Sequence, residues 1–371
     1  ADPRHRVARR ISGPPIPITD GSVRTYASRG GVAHTESPPA SVEPTSRREN
    51  VVKAIVQHGH GGPEVLEYTE VDTPTLADEQ VLVRVRAASV GAWDWHVMRG
   101  DPRLMGMTGM LKPKNGIPGL DFAGVIEAVG GDVTDLRPGD EVYGESEGAF
   151  AECVAASPDS VGLKPTNVSF EQAASAPVAG ITALMGLEDF GKVSAGQQVL
   201  IIGAAGGVGS YAVQIAASMG AEVTGVCSTE SAELVRSIGA HHVIDYTRED
   251  FSKSGTRYDV VFQIAGAEPL STYRKAVTPK GTLVLCSGTG GEWLGPIPRI
   301  VRAVVTSPFV GQRLVTFVAK PSRQRLTELK DLIESGSVTP VIDRTYPLSE
   351  APEAIGYVEQ EHNRGKTVLI V

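Results

Sequence analysis

The chain has 371 residues, of which 41% are hydrophobic and 21% are charged, so it is long enough to bury a sizeable core. Its formal net charge is -8, and after residue 50 the excess of acid is larger, with 27 basic residues against 38 acidic ones. A body this acidic repels a phosphate backbone, and no cluster of basic and aromatic residues is present. We therefore expect no nucleic acid partner.

Cysteines and apolar runs are both sparse. The three cysteines, Cys153, Cys227 and Cys286, form no CxxC pair, which argues against a disulfide framework or a four-cysteine zinc lobe. A reducing compartment fits this usage, so we expect a cytoplasmic location. No apolar run reaches the ~20 residues that a membrane span requires, and we expect no membrane partner.

Residues 1–50 are rich in Pro, Ser, Gly and Arg and show almost no periodic apolar pattern. Such a segment cannot offset the conformational entropy that folding removes, so we predict a disordered tail. Its eight Arg residues are also typical of a transit peptide, but the five acids in the same stretch argue against one.

From residue 51 the pattern is that of a folded body. Short β-branched segments between turn residues predict a small barrel, over 52–57, 80–88, 122–129, 141–143 and 150–154. A helical period with Ser169 as its N-cap predicts a helix over 169–190 that connects two domains. Strand and helix segments then alternate, which is typical of a parallel doubly wound sheet. They cover 198–202, 209–219, 222–227, 232–238, 242–244, 260–263 and 282–286.

The last part of the chain predicts two helices, over 323–335 and 349–359, and a final strand over 367–371. That strand needs partners, and the barrel is the place we expect them. The predicted fold is therefore α/β, with a barrel domain that the chain enters twice and a doubly wound domain. The expected parts are the tail 1–50, the first part of the barrel domain 51–175, the doubly wound domain 176–318 and the return to the barrel domain 319–371.

A glycine-rich turn over 203–209 (GAAGGVG) follows a predicted strand and opens a predicted helix. Such a turn lets backbone N–H groups approach a pyrophosphate, whose charge is favoured by the helix N-terminus. Ala204 stands where the usual pattern has its first glycine, so a purely structural turn is the alternative. The flanking strand and helix favour a dinucleotide site formed by Ala205, Gly206, Gly207 and Val208.

The second strand of this unit ends without the Asp or Glu that binds the ribose 2′-hydroxyl in NAD sites. Ser228 and Thr229 can donate to a 2′-phosphate, and Tyr246 or Arg248 can complete its pocket. These residues favour NADPH as the cofactor. Glu230 lies close by and opposes a phosphate, so NADH is the alternative.

Several motifs, in order along the chain, resemble those of the medium-chain dehydrogenase/reductase superfamily, and most closely its zinc-independent quinone oxidoreductase branch. The resemblance covers residues 51–371. It implies a GroES-like barrel domain joined to a Rossmann domain, an active site in the cleft between them, and a homodimer. The motifs are 91–100 (GAWDWHVMRG), 119–124 (GLDFAG), 137–140 (RPGD), 203–209 (GAAGGVG) and 365–366 (GK).

Zinc-dependent members of the superfamily hold their metal with a Cys, a His and a further ligand. The resemblance matches these positions to Gly91, Leu120 and approximately Val178, and none of these side chains can bind zinc. Asp121 can supply one oxygen, which does not make a site. We therefore expect no metal.

Without a Lewis acid, reduction is easier than alcohol oxidation, because a quinone or α,β-unsaturated carbonyl spreads the charge that hydride addition creates. The predicted reaction is hydride transfer from NAD(P)H to such a small substrate. The resemblance matches His96 to a proton-relay histidine, which makes it the candidate catalytic residue; a helix-capping histidine is the alternative. Asp94 is expected to hold its loop.

The candidate substrate pocket consists of Gly91, Trp93 and Trp95. Gly91 departs from the Asn that is common in quinone reductases, and both tryptophans could equally be core residues. Trp293 is a further candidate for this pocket. Phe309 and Val310 are expected to cover the nicotinamide, with packing at the dimer edge as the alternative.

The remaining cofactor candidates come from strand ends and from the resemblance. Thr182 matches a threonine that approaches the nicotinamide, although its hydroxyl could instead bond to a helix carbonyl. Lys366 matches a basic residue that meets the cofactor phosphates, with a surface lysine as the alternative. Ala265, Ser287 and Gly288 follow the later strands, where ligands of doubly wound sheets gather.

Two other functions fit parts of the sequence. A non-catalytic dinucleotide-binding partner protein is suggested by Gly91 and by the lack of an unambiguous acid. A zinc alcohol dehydrogenase would require stoichiometric metal.

Overall fold

The computed structural model describes residues 51–110, 112–113, 116–286, 297–360 and 363–371. The predicted tail, residues 1–50, lies outside them. The first part of the described chain consists of short strands, as its β-branched segments predict, with two short helices. These elements are β1 (Val51–Gln57), β2 (Leu66–Asp72), β3 (Val81–Val90), α1 (Ala92–Arg99), α2 (Arg103–Met107), β4 (Asp121–Val129), β5 (Glu141–Glu145), β6 (Cys153–Ala156) and β7 (Val161–Leu163).

The middle part alternates strand and helix, as its apolar periodicity predicts. Its elements are α3 (Phe170–Ala174), α4 (Pro177–Leu184), β8 (Gln198–Ile202), α5 (Gly207–Ser218), β9 (Glu222–Cys227), α6 (Ala232–Ser237), β10 (His242–Asp245), β11 (Tyr258–Gln263), α7 (Leu270–Lys275), β12 (Val277–Leu285), α8 (Ile297–Thr306) and β13 (Arg313–Thr316). The last part adds α9 (Arg323–Glu334), β14 (Ile342–Pro347), α10 (Ala351–Glu359) and β15 (Lys366–Ile370).

Among the described residues, the strands of the first and last parts form one sheet with the order β14-β15-β3-β4-β5-β7, and β6 pairs with β3. The C-terminal strand β15 runs antiparallel to β3, with Val368 opposite Ser89. β1 and β2 form a separate two-stranded sheet. The chain therefore returns to its first sheet at its end, while the domain limits at residues 175 and 318 stay predictions.

The middle strands form a six-stranded sheet in the order β10-β9-β8-β11-β12-β13. All of its neighbouring strands are parallel, which confirms the predicted doubly wound sheet. The chain reverses direction across the sheet between β8 and β11, so the crevice beyond the carboxyl ends of these two strands is the expected ligand position.

The long helix predicted over 169–190 is wrong as one continuous element. Ser169 caps α3 as predicted, because its Oγ accepts from the Gln172 N–H at 3.3 Å and the Gln172 side chain accepts from the Ser169 N–H at 3.2 Å. Pro177 then starts α4 as a separate helix, since proline has no N–H to continue the first one. A π-helical segment over Met185–Gly191 ends the connection.

The glycine turn before α5 packs so closely that two of its glycines play different roles. A side chain on Gly209 would overlap the backbone carbonyl oxygen of Gly203, so Gly209 lets α5 lie directly on the turn. Gly206 is the N-cap of α5, and a Cβ there would lie 3.6 Å from that same oxygen, an ordinary contact. The close packing of α5 on the turn therefore requires glycine at position 209, whereas the space beside the Gly206 Cα is open to a ligand.

This difference predicts opposite outcomes for two matched substitutions. Gly209→Ala is expected to lower the free energy of unfolding by at least about 3 kcal/mol, because rigid backbone atoms must move. Gly206→Ala is expected to fold normally and to bind dinucleotide more weakly. Urea unfolding and fluorescence titration with NADPH measure the two effects, and equal stability of the two variants would contradict the packing argument.

Candidate active site

A cleft of about 2270 Å³ opens at the carboxyl ends of β8, β9 and β11 and is bounded on its other side by α1 and β15. Pockets for single small ligands are commonly about 300–1,000 Å³, so this cleft has room for a dinucleotide and a substrate together. It lies at the point where the strand order of the parallel sheet reverses, as the topology predicts.

The glycine turn forms one wall of the cleft. Ala205, Gly206, Gly207 and Val208 all line it, so the structure brings together the four residues predicted for the pyrophosphate. Helix α5 starts here without a side-chain cap and without an acid in its first turn. The first N–H groups of any helix lack intrahelical acceptors, and here no side-chain cap satisfies them. This is the arrangement that binds anions at helix N-termini.

Ser228, Thr229 and Tyr246 also line the cleft, at the ends of β9 and β10. Sequence analysis missed Asp245, which pairs with Cys227 across these strands. The Asp245 carboxylate accepts hydrogen bonds from the Thr229 hydroxyl and from the Thr247 N–H and hydroxyl. Two features of the sequence could have revealed Asp245. Strand β9 ends without the expected acid, and Asp245 stands at the end of the neighbouring strand.

Two arginines line the same part of the cleft. Arg248 lies 3.4 Å from Asp245, measured from its Nε to Oδ2, and lines the cleft. Arg364 also lines the cleft and pairs with Glu230 at 3.0 Å. Both guanidinium groups are accessible to solvent, so they can exchange these carboxylates for a ligand phosphate.

The other predicted cofactor residues divide into three groups. Ala265 lines the cleft after β11. Thr182 is buried within α4 and is not among the residues that line the cleft, so the structure does not bring it to the other candidates. Ser287 and Gly288, like Trp293, lie outside the described residues.

A buried ion pair forms the floor of the cleft. The Lys366 ammonium donates to Asp121 Oδ2 at 3.2 Å, and the Ser89 hydroxyl donates to the same oxygen at 2.8 Å. The Val178 N–H donates to Asp121 Oδ1 at 2.9 Å. Lys366 and Asp121 are 4% and 2% exposed, which places their charges out of solvent. The interpretation of Lys366 as a surface lysine is therefore wrong.

The stem of Lys366 connects this floor to the glycine turn. Its Cδ lies 3.0 Å from the place where a Gly207 side chain would begin, and its ammonium lies 3.6 Å from the corresponding place on Gly91. Lys366 therefore runs from the pyrophosphate wall to the predicted substrate pocket. The lack of a side chain at Gly91 leaves the ammonium uncovered on that side.

Two further carboxyl groups lie near the ion pair. Asp94 Oδ2 accepts from the Gly91 N–H at 2.7 Å, so Asp94 holds the start of α1 as expected. Burial raises the pKa of Asp94 to about 7, although the Gly91 N–H and the Lys366 ammonium oppose this shift. Burial also raises the pKa of Glu145, as does the Asp121 charge, while Lys366 lowers it. At neutral pH Asp94 is therefore close to half protonated, and the protonated form of Glu145 is favoured.

His96 lies in α1 on the opposite wall and lines the cleft together with Trp93 and Trp95. Its ring stacks on Trp95 with the ring centroids 3.6 Å apart. His96 Nδ1 lies 3.1 Å from the Asp101 backbone carbonyl, which can only accept, so Nδ1 carries a proton. The structure thus brings the candidate catalytic residue and the predicted substrate pocket to one wall. Phe309, by contrast, is 84% exposed and is not among the residues that line the cleft.

Gly91, Leu120 and Val178, which match the zinc-ligand positions of related enzymes, line the same cleft. None has a donor atom in its side chain, and the neighbouring Asp121 already accepts three hydrogen bonds. No group of three His, Cys, Asp or Glu residues able to hold a metal occurs in the part of the chain that the structure describes. The donors present here do not fit a zinc ion.

The raised pKa of Asp94 predicts a dependence of stability on pH. The folded state favours the protonated carboxyl, so its contribution to the free energy of unfolding is complete below the ordinary pKa of 3.8 and is lost as the pH rises through about 7. Asp94→Asn keeps an acceptor for the Gly91 N–H without the charge. We expect this variant to lose less stability than the parent chain over that range.

Urea unfolding at a series of pH values measures this effect. Asp132→Asn, which changes an exposed carboxylate, is the matched control and should leave the pH dependence as it is. If Asp94→Asn retains the full dependence of the parent chain, burial of Asp94 is not its source.

Family models match two consecutive segments of the chain. The alcohol dehydrogenase GroES-like domain matches residues 77–228, and the zinc-binding dehydrogenase domain matches residues 238–369. The first match confirms the predicted GroES-like barrel. The second family is named for zinc, which the donors in this cleft do not fit.

Three similar proteins cover most of the chain. The mitochondrial NAD(P)H oxidoreductase RTN4IP1 of Mus musculus is 33% identical over 90% of this chain and 93% of its own length. The chloroplastic NADPH-dependent alkenal/one oxidoreductase of Arabidopsis thaliana is 34% identical over 91% of this chain and 84% of its own. The structure of Escherichia coli quinone oxidoreductase complexed with NADPH matches with a TM-score of 0.75 and 26% identity, covering 86% of this chain and 100% of that one.

These likenesses extend over both sheets and over the cleft between them. The chain belongs to the medium-chain dehydrogenase/reductase superfamily of oxidoreductases, in the branch that contains the quinone oxidoreductases.

Proposed function

We propose that the chain is an NADPH-dependent reductase that transfers hydride to a quinone or an α,β-unsaturated carbonyl without a metal. One observation carries the proposal: an uncapped helix N-terminus with a glycine turn opens onto a cleft whose zinc-ligand positions hold Gly91, Leu120 and Val178. The first feature suits a dinucleotide diphosphate, and the second favours a reaction that needs no Lewis acid. The names of the relatives, which include quinone and alkenal/one oxidoreductases, support the same chemistry.

The preference for NADPH depends on the ends of β9 and β10. The hydroxyl groups of Ser228 and Thr229 replace the acid that would bind a ribose 2′-hydroxyl, and Arg248 and Arg364 supply positive charge. Asp245 opposes a 2′-phosphate, but its oxygens already accept from threonine donors. NADH is the alternative cofactor, and the ratio of the two dissociation constants decides between them.

The chain's own groups have separate roles in the proposed reaction. When bound, the reduced nicotinamide supplies a hydride ion. The amides of residues 206–208 bind the diphosphate, and the stem of Lys366 packs beside them. The planar rings of Trp93 and Trp95 orient a flat substrate. Protonated Asp94 adds no negative charge near the position where an enolate forms.

The proton that completes the reduction must come from water or a side chain, and we assign it to His96. Because Nδ1 donates to the Asp101 carbonyl, a neutral His96 has its lone pair on Nε2. Only the imidazolium form can therefore donate from Nε2. The Asp101 carboxylate lies 3.5 Å from Nδ1.

A substrate panel tests the proposed activity. Purified chain with NADPH should oxidise the cofactor when benzoquinone or an enal such as acrolein is added, and a metal chelator should not reduce the rate. Calorimetry with NADPH alone is the companion measurement. Tight binding without turnover would contradict the reductase and favour a non-catalytic binding protein, and stoichiometric zinc in elemental analysis would favour an alcohol dehydrogenase.

His96→Ala tests the proton donor. We expect kcat to fall by about 10²-fold or more, because general acids contribute roughly that much, while the dissociation constant of NADPH stays unchanged. The rate of the parent chain should also decrease as the pH rises and His96 loses its proton, and the variant should lack this decrease. An unchanged pH profile in the variant would remove the assigned role.

Assembly and location are also proposals. We propose a homodimer, whose mass light scattering would measure, and a cytoplasmic location, which fractionation of the source cells would test. Two relatives carry mitochondrial and chloroplastic in their names, so an organelle is the alternative location. Within the described ranges, every helix is too short or too polar to cross a bilayer.

A further inference from the structure

Helix α8 exposes an apolar stripe to solvent. Its aliphatic side chains at four positions are 38–60% exposed, and the Phe309 ring that follows the helix is 84% exposed. The positions lie within roughly 140° of the helix circumference, so they form one face. We call these residues the α8 stripe: Ile300, Val301, Val304, Val305 and Phe309.

The orientation of α8 is opposite to that of an ordinary surface helix, which turns its apolar face towards the core. Of the described side chains on α8, Ala303 is the buried one. On the same inner side, the Arg299 guanidinium lies 5.8 Å above the Tyr273 ring and donates to the Gly266 carbonyl at 3.4 Å. A small residue and a stacked arginine thus anchor the helix and turn the branched residues outward.

Basic side chains lie beside the stripe. Residues 293–327 contain six basic residues and no acid, but Arg323 and Arg325 pair with carboxylates outside this segment and Arg299 faces inward. Arg302 is exposed and lies on the helix next to the edge of the stripe, and Lys320 is exposed beyond β13. An exposed apolar face with basic neighbours is typical of helices that lie in a membrane interface.

We propose that the α8 stripe docks the protein on the surface of an anionic lipid bilayer. The aliphatic residues and Phe309 would enter the interface, and Arg302 would meet lipid phosphates. A second copy of the chain fits less well, because a two-fold contact would place α8 against α8, and this helix has no acid to pair with Arg302. Such peripheral docking needs no membrane-spanning helix.

The proposal adds a location for the proposed reaction. Gly266, whose carbonyl accepts from Arg299 on the inner side of α8, also lines the cleft, so the helix that carries the stripe lies beside the cleft. A substrate dissolved in the bilayer could thus enter the cleft directly. The docking itself does not depend on the reductase activity, and the two can fail separately.

Vesicle flotation with the full chain tests the docking. We expect the protein to float with vesicles in which about a third of the lipid is phosphatidylglycerol, and to remain behind with phosphatidylcholine alone. Added salt should weaken the binding, because the Debye length falls to about 3 Å at 1 M.

Two variants and two matched controls locate the surface. Val304→Asp/Val305→Asp and Arg302→Glu should each weaken vesicle binding by about tenfold or more. Leu163→Asp changes an apolar side chain that is also exposed, and Arg257→Glu reverses a charge that precedes β11, at the end of the sheet remote from the cleft. Both controls should bind vesicles like the parent chain. All four variants should keep their activity towards a water-soluble quinone, which shows that they fold.

Three results would overturn the proposal. The parent chain could fail to float with anionic vesicles at low salt, or the controls could lose as much binding as the stripe variants. The third result is that Val304→Asp/Val305→Asp changes the mass of the protein in light scattering and leaves its binding to vesicles unchanged. The stripe would then be an interface between two copies of the chain.

Discussion

The active-site cleft depends on the buried ion pair between Asp121 and Lys366. Desolvation of two charges is costly, and their attraction offsets it only when the remaining donors and acceptors are satisfied. Here the Ser89 hydroxyl and the Val178 N–H complete the carboxylate. These bonds join β3, β4, β15 and the start of α4, so one set of hydrogen bonds holds four elements of the cleft together. Its geometry also places the lysine stem against the glycine turn.

The same pair determines the charge at the reaction site. Three carboxyl groups share this region with a single lysine, which would be strongly repulsive if all three were ionised. Burial raises the pKa of Asp94 and of Glu145, so protonation of these groups reduces the negative charge beside the Lys366 ammonium. A floor with less negative charge suits hydride addition, because it opposes less strongly the negative charge that forms on the substrate. Gly91 leaves the lysine uncovered at this place.

Sequence reasoning predicted the parallel sheet and the glycine turn, and most of its candidate site residues line the cleft. It failed where a pattern in one segment was interpreted without the elements that pack beside that segment. The helical period over 169–190 continued across Pro177, yet the proline starts a new helix. Asp245 was missed because the expected acid belongs at the end of β9, while this one lies on the adjacent strand. The assignment of Thr182 to the nicotinamide by resemblance stays a prediction, and α4 buries this residue.

By itself, the sequence determined the fold class and the dinucleotide wall, because strand periodicity, turn glycines and a helix start are properties of adjacent residues. The absence of zinc donors at Gly91, Leu120 and Val178 could also be read from residue types alone. Only the tertiary structure decided that Lys366 meets Asp121, 245 positions away, and that α8 turns its aliphatic residues outward. Both depend on which elements pack against each other, and a periodic pattern shows that a face is apolar without showing what covers it.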